Sequence, residues 1–450
     1  MSVWMTLIVA IVAIAVLGWL FRWAGQQLTK NAPFYRDMPY GVAFGYVLGA
    51  AVVLWVAWTY YRAKTIEGPE ANKYFFFVVA VQGLVIFGVL AYYTRLLGSY
   101  VGSEASKKLF RSMPLTAAFG ILIIVVYAFL AVFAGQVSLT TIFFIALVGV
   151  PICLWAARNL STDGAKSVFG LMLTVLIVFI VMYFMGPLAP HGQEEIFARA
   201  NIVPGGDPAL GGDPDFPLGT DQIGRDILSR LIYGAQNTVG IAFATTCLAF
   251  FLGATFGFLA ATLGGWLDQV VSRAVDVLMA IPALIFALLL MTIASAWAGS
   301  QSWLLTVYMI VIIAVIDSTR VFRLSRAVGL NIVVMDYIEA AKLRGEGLGY
   351  LIFREILPNA TAPLLAEFGL RFCFVFLTIA ALSFLGVGIQ PPLADWGTMV
   401  RDLAQLINFA AFAPQAATAP LLAAGAIALL TVAVNFVVDW MLQKSSGLKE

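Results

Sequence analysis

The chain has 450 residues, of which 62% are hydrophobic and 11% are charged, and its mean hydropathy is +0.95. This composition lies far outside that of soluble domains, so we expect an all-α polytopic membrane protein. The formal net charge of +2 is too small to indicate binding to nucleic acid, and no basic cluster is interleaved with aromatic residues. A single histidine, His191, and three cysteines within apolar stretches give neither a metal-binding nor a disulfide pattern.

The first part of the chain contains five apolar stretches, each long enough for a helix to cross the hydrocarbon core of a bilayer. They lie at about 3–21, 40–60, 74–94, 115–134 and 138–157. The first lacks a charged start and a small-residue cleavage site, so we interpret it as a retained membrane helix. We therefore predict an N-terminal transmembrane bundle over residues 1–160.

Six further apolar stretches follow, which gives about eleven membrane helices in all. They lie at about 168–188, 237–262, 274–297, 303–319, 364–387 and 419–441. Basic residues concentrate in a polar stretch between the fourth and fifth of these, and in segments 22–39, 95–114, 158–167 and 443–450. Because cytoplasmic loops carry an excess of Lys and Arg, we expect these segments to be cytoplasmic and the N-terminus to lie outside. A single broken helix around the uncharged turn at 135–137 would instead place the N-terminus inside.

The outer segment, residues 189–236, divides into a loop and a helix. Residues 201–218 are rich in Pro, Gly and Asp, which indicates a loop. From Thr220 onward apolar residues recur at helical spacing, and Asp221 and Asp226 lie near the start, where acids suit the helix dipole. Asp207, Asp213, Asp215 and Asp221 could instead indicate a calcium loop, but the EF-hand pattern with its closing Glu is absent, so we predict no metal site.

The most polar stretch of the chain lies at 324–358 between two apolar spans. A bilayer costs a few kcal/mol for each charged side chain at its centre, so this stretch must lie in water or against a partner. The helical spacing of four apolar residues predicts a short helix with one buried stripe, made of Val334, Tyr337, Ile338 and Ala341.

Gly345 is expected to supply the left-handed residue that ends this helix. A second helix is predicted to place four apolar residues on one face, Leu348, Leu351, Ile352 and Ile356. Pro358 is expected to stop it. Helix, glycine and helix predict a docking knob, and the alternative is an amphipathic hairpin lying on the membrane surface.

The same stretch carries a resemblance to a known family. Glu339-Ala340-Ala341, followed by Gly345 and by Ile356-Leu357-Pro358, resembles the EAA loop of ABC-importer permeases. Glu355 departs from the Ile or His that is more usual there.

Other motifs, in the right order, are similar to those of the C-type permease subunit of oligopeptide, dipeptide and nickel importers. They are Gly219-Thr220-Asp221 with Gly224-Arg225-Asp226, Gly264-Gly265-Trp266, Asp276-Val277-Leu278 with Pro282, Leu382-Ser383-Phe384-Leu385-Gly386, and Gly388-Ile389-Gln390-Pro391-Pro392 with Asp395-Trp396-Gly397. Together they predict a permease domain at 168–442, followed by a tail at 443–450. Both 111–115 with the span after it and 171–190 resemble the family's first helix, and we favour 171–190.

The resemblance implies a six-helix, type I permease core with an extra N-terminal bundle, in the cytoplasmic (inner) membrane of a bacterium. It implies a cytoplasmic coupling hairpin at 324–358 whose ATPase-contacting residues are Glu339, Ala340, Ala341, Gly345, Leu357 and Pro358. The implied partners are a second, B-type permease, two ABC ATPase subunits, and a periplasmic or lipid-anchored substrate-binding protein. The ATPases would bind ATP and Mg²⁺, while this chain would bind no cofactor, catalyse no reaction and pass a peptide or related small solute.

Two charged residues, Glu367 and Arg371, lie one helical turn apart within a predicted span. Intramembrane charges usually face a cavity or each other, so they either line the translocation path, with Pro282 at a bend along it, or form a buried structural pair. Asp317 with Arg320, and Arg273 with Asp276, are expected to anchor helix ends at the inner interface.

Two functions of other classes remain open. An ion-coupled secondary transporter needs ionisable groups near the bilayer midplane, and only Glu367 and Arg371 come near. A membrane scaffold is the second alternative, supported by the N-terminal bundle. The sequence contains no phosphate-binding loop, because Gly164-Ala165-Lys166-Ser167 lacks the required glycine and spacing.

Overall fold

The computed structural model describes residues 16–20, 22–24, 40–65, 75–100, 104–159, 162–205, 208, 211–299, 301–409 and 414–445. Over these residues the regular structure is helical, with two isolated β-bridges and no β-strand. The chain is therefore an all-α polytopic membrane protein, as its composition predicts. It divides into two compact units, residues 1–85 and 86–450.

The first unit contains α1 (Tyr40–Thr65) and the beginning of α2 (Phe75–Tyr100). The side-chain amide of Gln82 donates a hydrogen bond to the Tyr60 hydroxyl at 2.9 Å. Because both groups lie on apolar helices, this bond satisfies polar atoms that would otherwise be costly to place in hydrocarbon.

The helices that follow α2 belong to the second unit. They are α3 (Glu104–Ser112), α4 (Leu115–Phe133), α5 (Leu139–Asn159), α6 (Thr162–Met185), α7 (Ile227–Leu263), α8 (Gly265–Ala280), α9 (Ala283–Ala298), α10 (Ser302–Val333), α11 (Asp336–Leu343), α12 (Leu348–Phe384), α13 (Trp396–Leu403) and α14 (Thr418–Ser445). A π-helical turn interrupts α7 at Ala235–Val239, and another interrupts α12 at Leu351–Ile356.

Six of the described helices are long and apolar enough to cross a membrane. They are Phe77–Tyr100, Leu115–Phe133, Ile227–Leu263, Ser302–Val333, Leu348–Phe384 and Thr418–Lys444. The pair α8 and α9, bent by 91°, makes a seventh if it is one span. The predicted span at 3–21 lies largely outside the described residues, and the count of eleven stays a prediction.

The main apolar core of the second unit surrounds Trp396, at the start of α13. Its side chain is 2% exposed, its indole N–H donates to the Leu231 carbonyl at 2.9 Å, and Tyr127 packs edge-on against it. Gly234 approaches the indole so closely that a Cβ would overlap the ring. Buried side chains of α4, α7, α9, α10, α12, α13 and α14 complete this core, which joins α13 and the start of α7 to the long helices.

Helices α5 and α6 form a hairpin outside this core, and we call this hairpin the excursion. The Leu188 amide donates to the Phe133 carbonyl at 3.3 Å, and the Ala189 amide donates to the Ala134 carbonyl at 3.2 Å. The chain therefore leaves the core at the end of α4 and returns to the same place. Residues 134–138 are not helical, so α4 and α5 are separate helices.

Of the two candidates for the first helix of the permease core, α4 is the one whose side chains lie in the Trp396 core. It packs along α14, where Gly120 leaves no room for a Cβ against the Ala433 carbonyl, whereas α6 packs along α5 and against the end of α4. This packing favours the span after 111–115 over our preferred 171–190, and the assignment stays a prediction. The predicted boundary between the N-terminal bundle and the permease domain lies at 160–168. It places α4 in the bundle, although α4 packs against α14 of the permease domain.

Helix α10 extends to Val333, past both the predicted end of its span at 319 and the predicted start of the hairpin at 324. Polar side chains do not prevent helix hydrogen bonding, so the helix can continue through its basic residues. The basic residues in the last turns of α10 pair with acids on α8. Arg326 forms a two-point ion pair with Asp268 at 2.5 and 2.6 Å. Asp276 pairs with Arg323 at 3.7 Å, where we expected Arg273.

Candidate functional site

The polar hairpin, which we define as residues 334–347 between α10 and α12, contains the short helix α11. Asp336 and Glu339 lie in its first turn and Lys342 in its last turn, the order of charges that a helix dipole favours. Glu339 and Ala340 are exposed. Both therefore lie on the surface that a partner could contact.

The two faces of α11 differ in burial. Ile338 and Ala341 are fully buried and join an apolar cluster built from the ends of α7, α10 and α12. Val334 and Tyr337 are 79% and 40% exposed, so their placement in the buried stripe is wrong. With Leu343, which is 83% exposed, they give the outward surface of the hairpin an apolar character. Exposed apolar residues grouped on a charged segment indicate a contact surface.

Gly345 ends α11 in the left-handed conformation, with φ of +79°. Its amide donates to the Lys342 carbonyl at 3.0 Å, and the Glu346 amide donates to the Ala341 carbonyl at 3.2 Å, which is the bonding of a glycine helix stop. No atom lies within 4 Å of a Cβ built at Gly345. The requirement for glycine is therefore conformational, and the predicted helix end is confirmed.

Helix α12 begins at Leu348 and continues past Pro358, so the predicted stop at this proline is wrong. The physical reason is the π-helical turn Leu351–Ile356 just before it, since a widened turn changes which carbonyl faces the proline ring. Leu351 and Ile356 are buried, as predicted, and Leu357 packs against the same apolar cluster. The exposed Pro358 thus lies within a span that continues directly from the hairpin.

A cluster of three charged side chains, two of them buried, joins α10 to α12. The Arg371 Nε lies 2.7 Å from the Glu367 Oε1, and its Nη1 lies 3.8 Å from the Asp317 Oδ1. The guanidinium also lies over the Phe374 ring at 4.7 Å. Sequence reasoning found the pair on α12 but assigned Asp317 to Arg320, because spacing along one helix cannot show a partner on another. We call Asp317, Glu367 and Arg371 the ion cluster.

Pro282 lies at the junction of α8 and α9, where the chain bends by 91°. Its φ of −57° suits the position before a helix. The bend predicted within the span at 274–297 is present, and the structure divides that stretch into two helices.

The start of α7 is built around Asp226. Its carboxylate accepts hydrogen bonds from the Leu228 and Ser229 amides, both at 3.1 Å, as a helix N-cap does. His191 Nδ1 lies 3.1 Å from the same carboxylate, so the single histidine fastens the beginning of the outer segment to this helix.

The turn before Asp226 contains the rest of the outer motif. Asp221 accepts from the Arg225 amide at 2.9 Å and from its Nε at 2.6 Å. Gly219 and Gly224 have φ of +77° and +89°, and a Cβ at either would collide with a backbone carbonyl. Thr220 Oγ1 donates to the Arg199 carbonyl at 3.0 Å. The helix predicted from Thr220 therefore begins only at Ile227, because these bonds form a turn.

Within the described part of the chain, no group of three or more His, Cys, Asp or Glu side chains could hold a metal ion.

Asp395 connects the segment between α12 and α13 to α7. It is fully buried, and its carboxylate accepts from the Thr238 hydroxyl at 2.7 Å and from the Thr398 amide at 2.9 Å. Burial raises the pKa of the Asp395 carboxyl above its ordinary range, against the opposing effect of these hydrogen bonds.

A core of long apolar helices, with a polar hairpin at the end of two of them and two hydrogen-bonded segments between helices, is the architecture of a multi-pass membrane protein. A family model described as "Binding-protein-dependent transport system inner membrane component" matches residues 253–445. The chain belongs to this family, and it is a multi-pass inner-membrane protein. The resemblance found in the sequence is thereby confirmed.

Curated relatives agree with this assignment. The dipeptide transport system permease protein DppC of Escherichia coli (strain K12) is 36% identical over 246 residues, which are 54% of this chain and 78% of that protein. DppC of Haemophilus influenzae is 34% identical over 233 residues, 51% of this chain and 75% of that protein. A putative peptide permease protein of Brucella suis biovar 1 is 31% identical over 286 residues, 63% of this chain and 87% of that protein.

Proposed function

We propose that this chain is the C-type permease subunit of an ATP-driven importer that moves peptides or a related small solute across the inner membrane. The names of the relatives support peptides as the solute class. The observation that carries the proposal is the division of α11 into a buried and an exposed face. The hairpin is fixed to three spans by Ile338 and Ala341 and presents Glu339 outward.

The proposed complex contains a second, B-type permease, two ABC ATPase subunits, and a periplasmic or lipid-anchored substrate-binding protein. The polar hairpin and the C-terminus lie in the cytoplasm, and the N-terminus lies outside. ATP and Mg²⁺ bind to the ATPases, and this chain binds no cofactor and catalyses no reaction. The motif residues of the hairpin region contact an ATPase subunit; they are Glu339, Ala340, Ala341, Gly345, Leu357 and Pro358.

Closure of the ATPases on ATP pushes the hairpin. Because Ile338 shares an apolar cluster with Ile332 of α10 and Ile356 of α12, a displacement of α11 is passed to both spans. The spans then shift between inward-open and outward-open states, a two-state change biased by different contacts in each state. No bond of the solute changes.

The translocation path is proposed to run beside the ion cluster. The Glu367 side chain is 21% exposed, whereas those of Arg371 and Asp317 are 10% and 11% exposed. Glu367 is therefore the member that a solute reaches, and the other two hold it in place. Pro282 provides the bend between α8 and α9 along this path.

Uptake by the complete complex in proteoliposomes tests the coupling role. Glu339→Lys and Gly345→Pro should abolish ATP-driven uptake while the complex still assembles, because the first reverses a charge on the contact surface and the second prevents the left-handed turn. Glu194→Lys, an equal charge reversal at an exposed outer position, should transport normally. Normal uptake by both hairpin variants would remove the coupling claim.

Purification of the complex in mild detergent tests the partners. An ATPase pair and a second permease should accompany the chain, and proteoliposomes without ATPases should show no uptake. Uptake without any ATPase would instead favour the ion-coupled alternative.

A further inference from the structure

A set of basic side chains meets at one end of the second unit, and the proposed function does not use it. The short helix α3 lies between α2 and α4, both of which are long and apolar enough to cross a membrane. It therefore lies at a membrane interface. We define the basic corner as Arg95 of α2, Lys108 and Arg111 of α3, and Lys444 of α14.

Two contacts hold α3 against the end of α2. The Arg95 Nη2 donates to the Arg111 carbonyl at 3.4 Å. The Phe110 ring packs so closely on Gly98 that a Cβ there would overlap it. The apolar side of α3 is thus turned to the helices, and Lys108 and Arg111 remain exposed.

The neighbouring helix α14 brings a further charge to the same place. Trp440 packs against the apolar cluster that contains Met113 and is flanked by Phe110. Lys444 lies over the Trp440 ring at 5.6 Å, and Asp439 is an exposed acid next to it. Among the residues that the structure describes, Lys108 and Arg111 have no carboxylate in ion-pair contact.

We propose that the basic corner binds the headgroup of an anionic phospholipid. A guanidinium and an ammonium bind the oxygens of a phosphodiester, and basic residues at a membrane surface attract anionic lipids. The adjoining surface is apolar, since Leu97 of α2 is 61% exposed and Leu115 of α4 is 46% exposed. Phosphate-binding charges directly beside exposed aliphatic side chains match the two parts of one lipid molecule.

Lipid binding to the purified full-length protein tests this site. The protein in detergent is titrated with phosphatidylglycerol or with phosphatidylcholine, and bound lipid is counted by native mass spectrometry. Each basic residue contributes about fivefold to affinity for an anionic lipid. Lys108→Gln/Arg111→Gln should therefore weaken phosphatidylglycerol binding about 25-fold and leave phosphatidylcholine binding unchanged.

Two matched variants complete the test. Lys108→Arg/Arg111→Lys keeps both charges and should bind phosphatidylglycerol like the wild type. Arg273→Gln removes an exposed arginine that borders Asp268 and Asp276 and should have no effect. Both neutral substitutions lie at exposed positions, and an unchanged melting temperature shows that the fold is intact.

Three results would overturn the proposal. The first is equal phosphatidylglycerol affinity of the wild type and the doubly neutralised protein. The second is displacement of the lipid by an equal concentration of soluble glycerol phosphate, which would indicate a site for free phosphate. The third is loss of a protein subunit from the doubly neutralised complex while its lipid binding is unchanged.

Discussion

Replacing Gly345 by alanine measures how strongly the left-handed turn maintains the polar hairpin. A Cβ at this position would meet no neighbouring atom within 4 Å, so the substitution introduces no clash with the surroundings. The remaining cost is that of holding an L-residue at φ of +79°, about 1–2 kcal/mol. The native turn should therefore become about 5–30-fold less populated relative to its open form.

Gly347→Ala is the matched control, two residues away. No atom lies within 4 Å of a Cβ at Gly347 either, but its φ is −75°. Alanine fits this conformation, so we expect a neutral or slightly stabilising effect of at most about 1 kcal/mol.

Amide hydrogen exchange, followed by mass spectrometry on peptides that cover the hairpin, measures the difference. The amides of Gly345 and Glu346 are protected by their bonds to Lys342 and Ala341. They should exchange about 5–30-fold faster in Gly345→Ala and at the wild-type rate in Gly347→Ala. Equal exchange in the two variants would show that the left-handed turn does not control the hairpin.

Three further predictions concern the core and the excursion. Arg371→Leu leaves the buried Asp317 carboxylate and the partly exposed Glu367 carboxylate without their cation and should cost about 3–5 kcal/mol, seen as a lower melting temperature in detergent; an unchanged melting temperature contradicts the ion cluster. The raised pKa of Asp395 means that the folded protein holds this proton more readily than the unfolded chain, so its contribution to stability is present at low pH and is lost as pH rises towards the raised value. Asp395→Asn cannot ionise, so its melting temperature should fall less than that of the wild type as the pH rises over that range. Parallel pH profiles of the two proteins would contradict the raised pKa of Asp395. Excising residues 136–187 should preserve the Trp396 core and ATP-driven uptake, because the chain ends flanking this stretch are already hydrogen bonded; loss of uptake by an assembled complex would give the excursion a role in transport.

Features that depend on local backbone chemistry were predictable from the sequence. Gly345 follows a helical stripe and precedes another, and only a residue that tolerates positive φ suits such a junction. The charges of the polar hairpin were likewise informative, since a bilayer excludes them. Pro358 shows the limit of such rules, because its helix-stopping effect assumes a regular α-helix and the chain forms a π-helical turn instead.

Features that depend on distant contacts were not predictable in the same way. Asp317 sits in an apolar stretch, and nothing in its neighbourhood along the chain indicates Arg371 as its partner. The choice between the two candidates for the first permease helix shows a related limit. The excursion of α5 and α6 separates α4 from the outer segment, so sequence continuity favoured the helix nearest to that segment, whereas packing against α14 favours α4.

The polar hairpin and the ion cluster together connect α10 and α12 at two levels. Asp317 lies 16 residues before the end of α10 at Val333, or about 24 Å along the helix at 1.5 Å per residue. Arg371 lies 15 residues after Ile356, where the hairpin's apolar cluster meets α12, or about 22 Å along it. The two helices are thus joined at the hairpin end and again at about the same distance from that end. Helices joined at two such points cannot easily slide or rotate past each other. A push on α11 should therefore move both as a unit. In the mechanism proposed above, the ion cluster thus makes this helix pair rigid in addition to placing Glu367 beside the path.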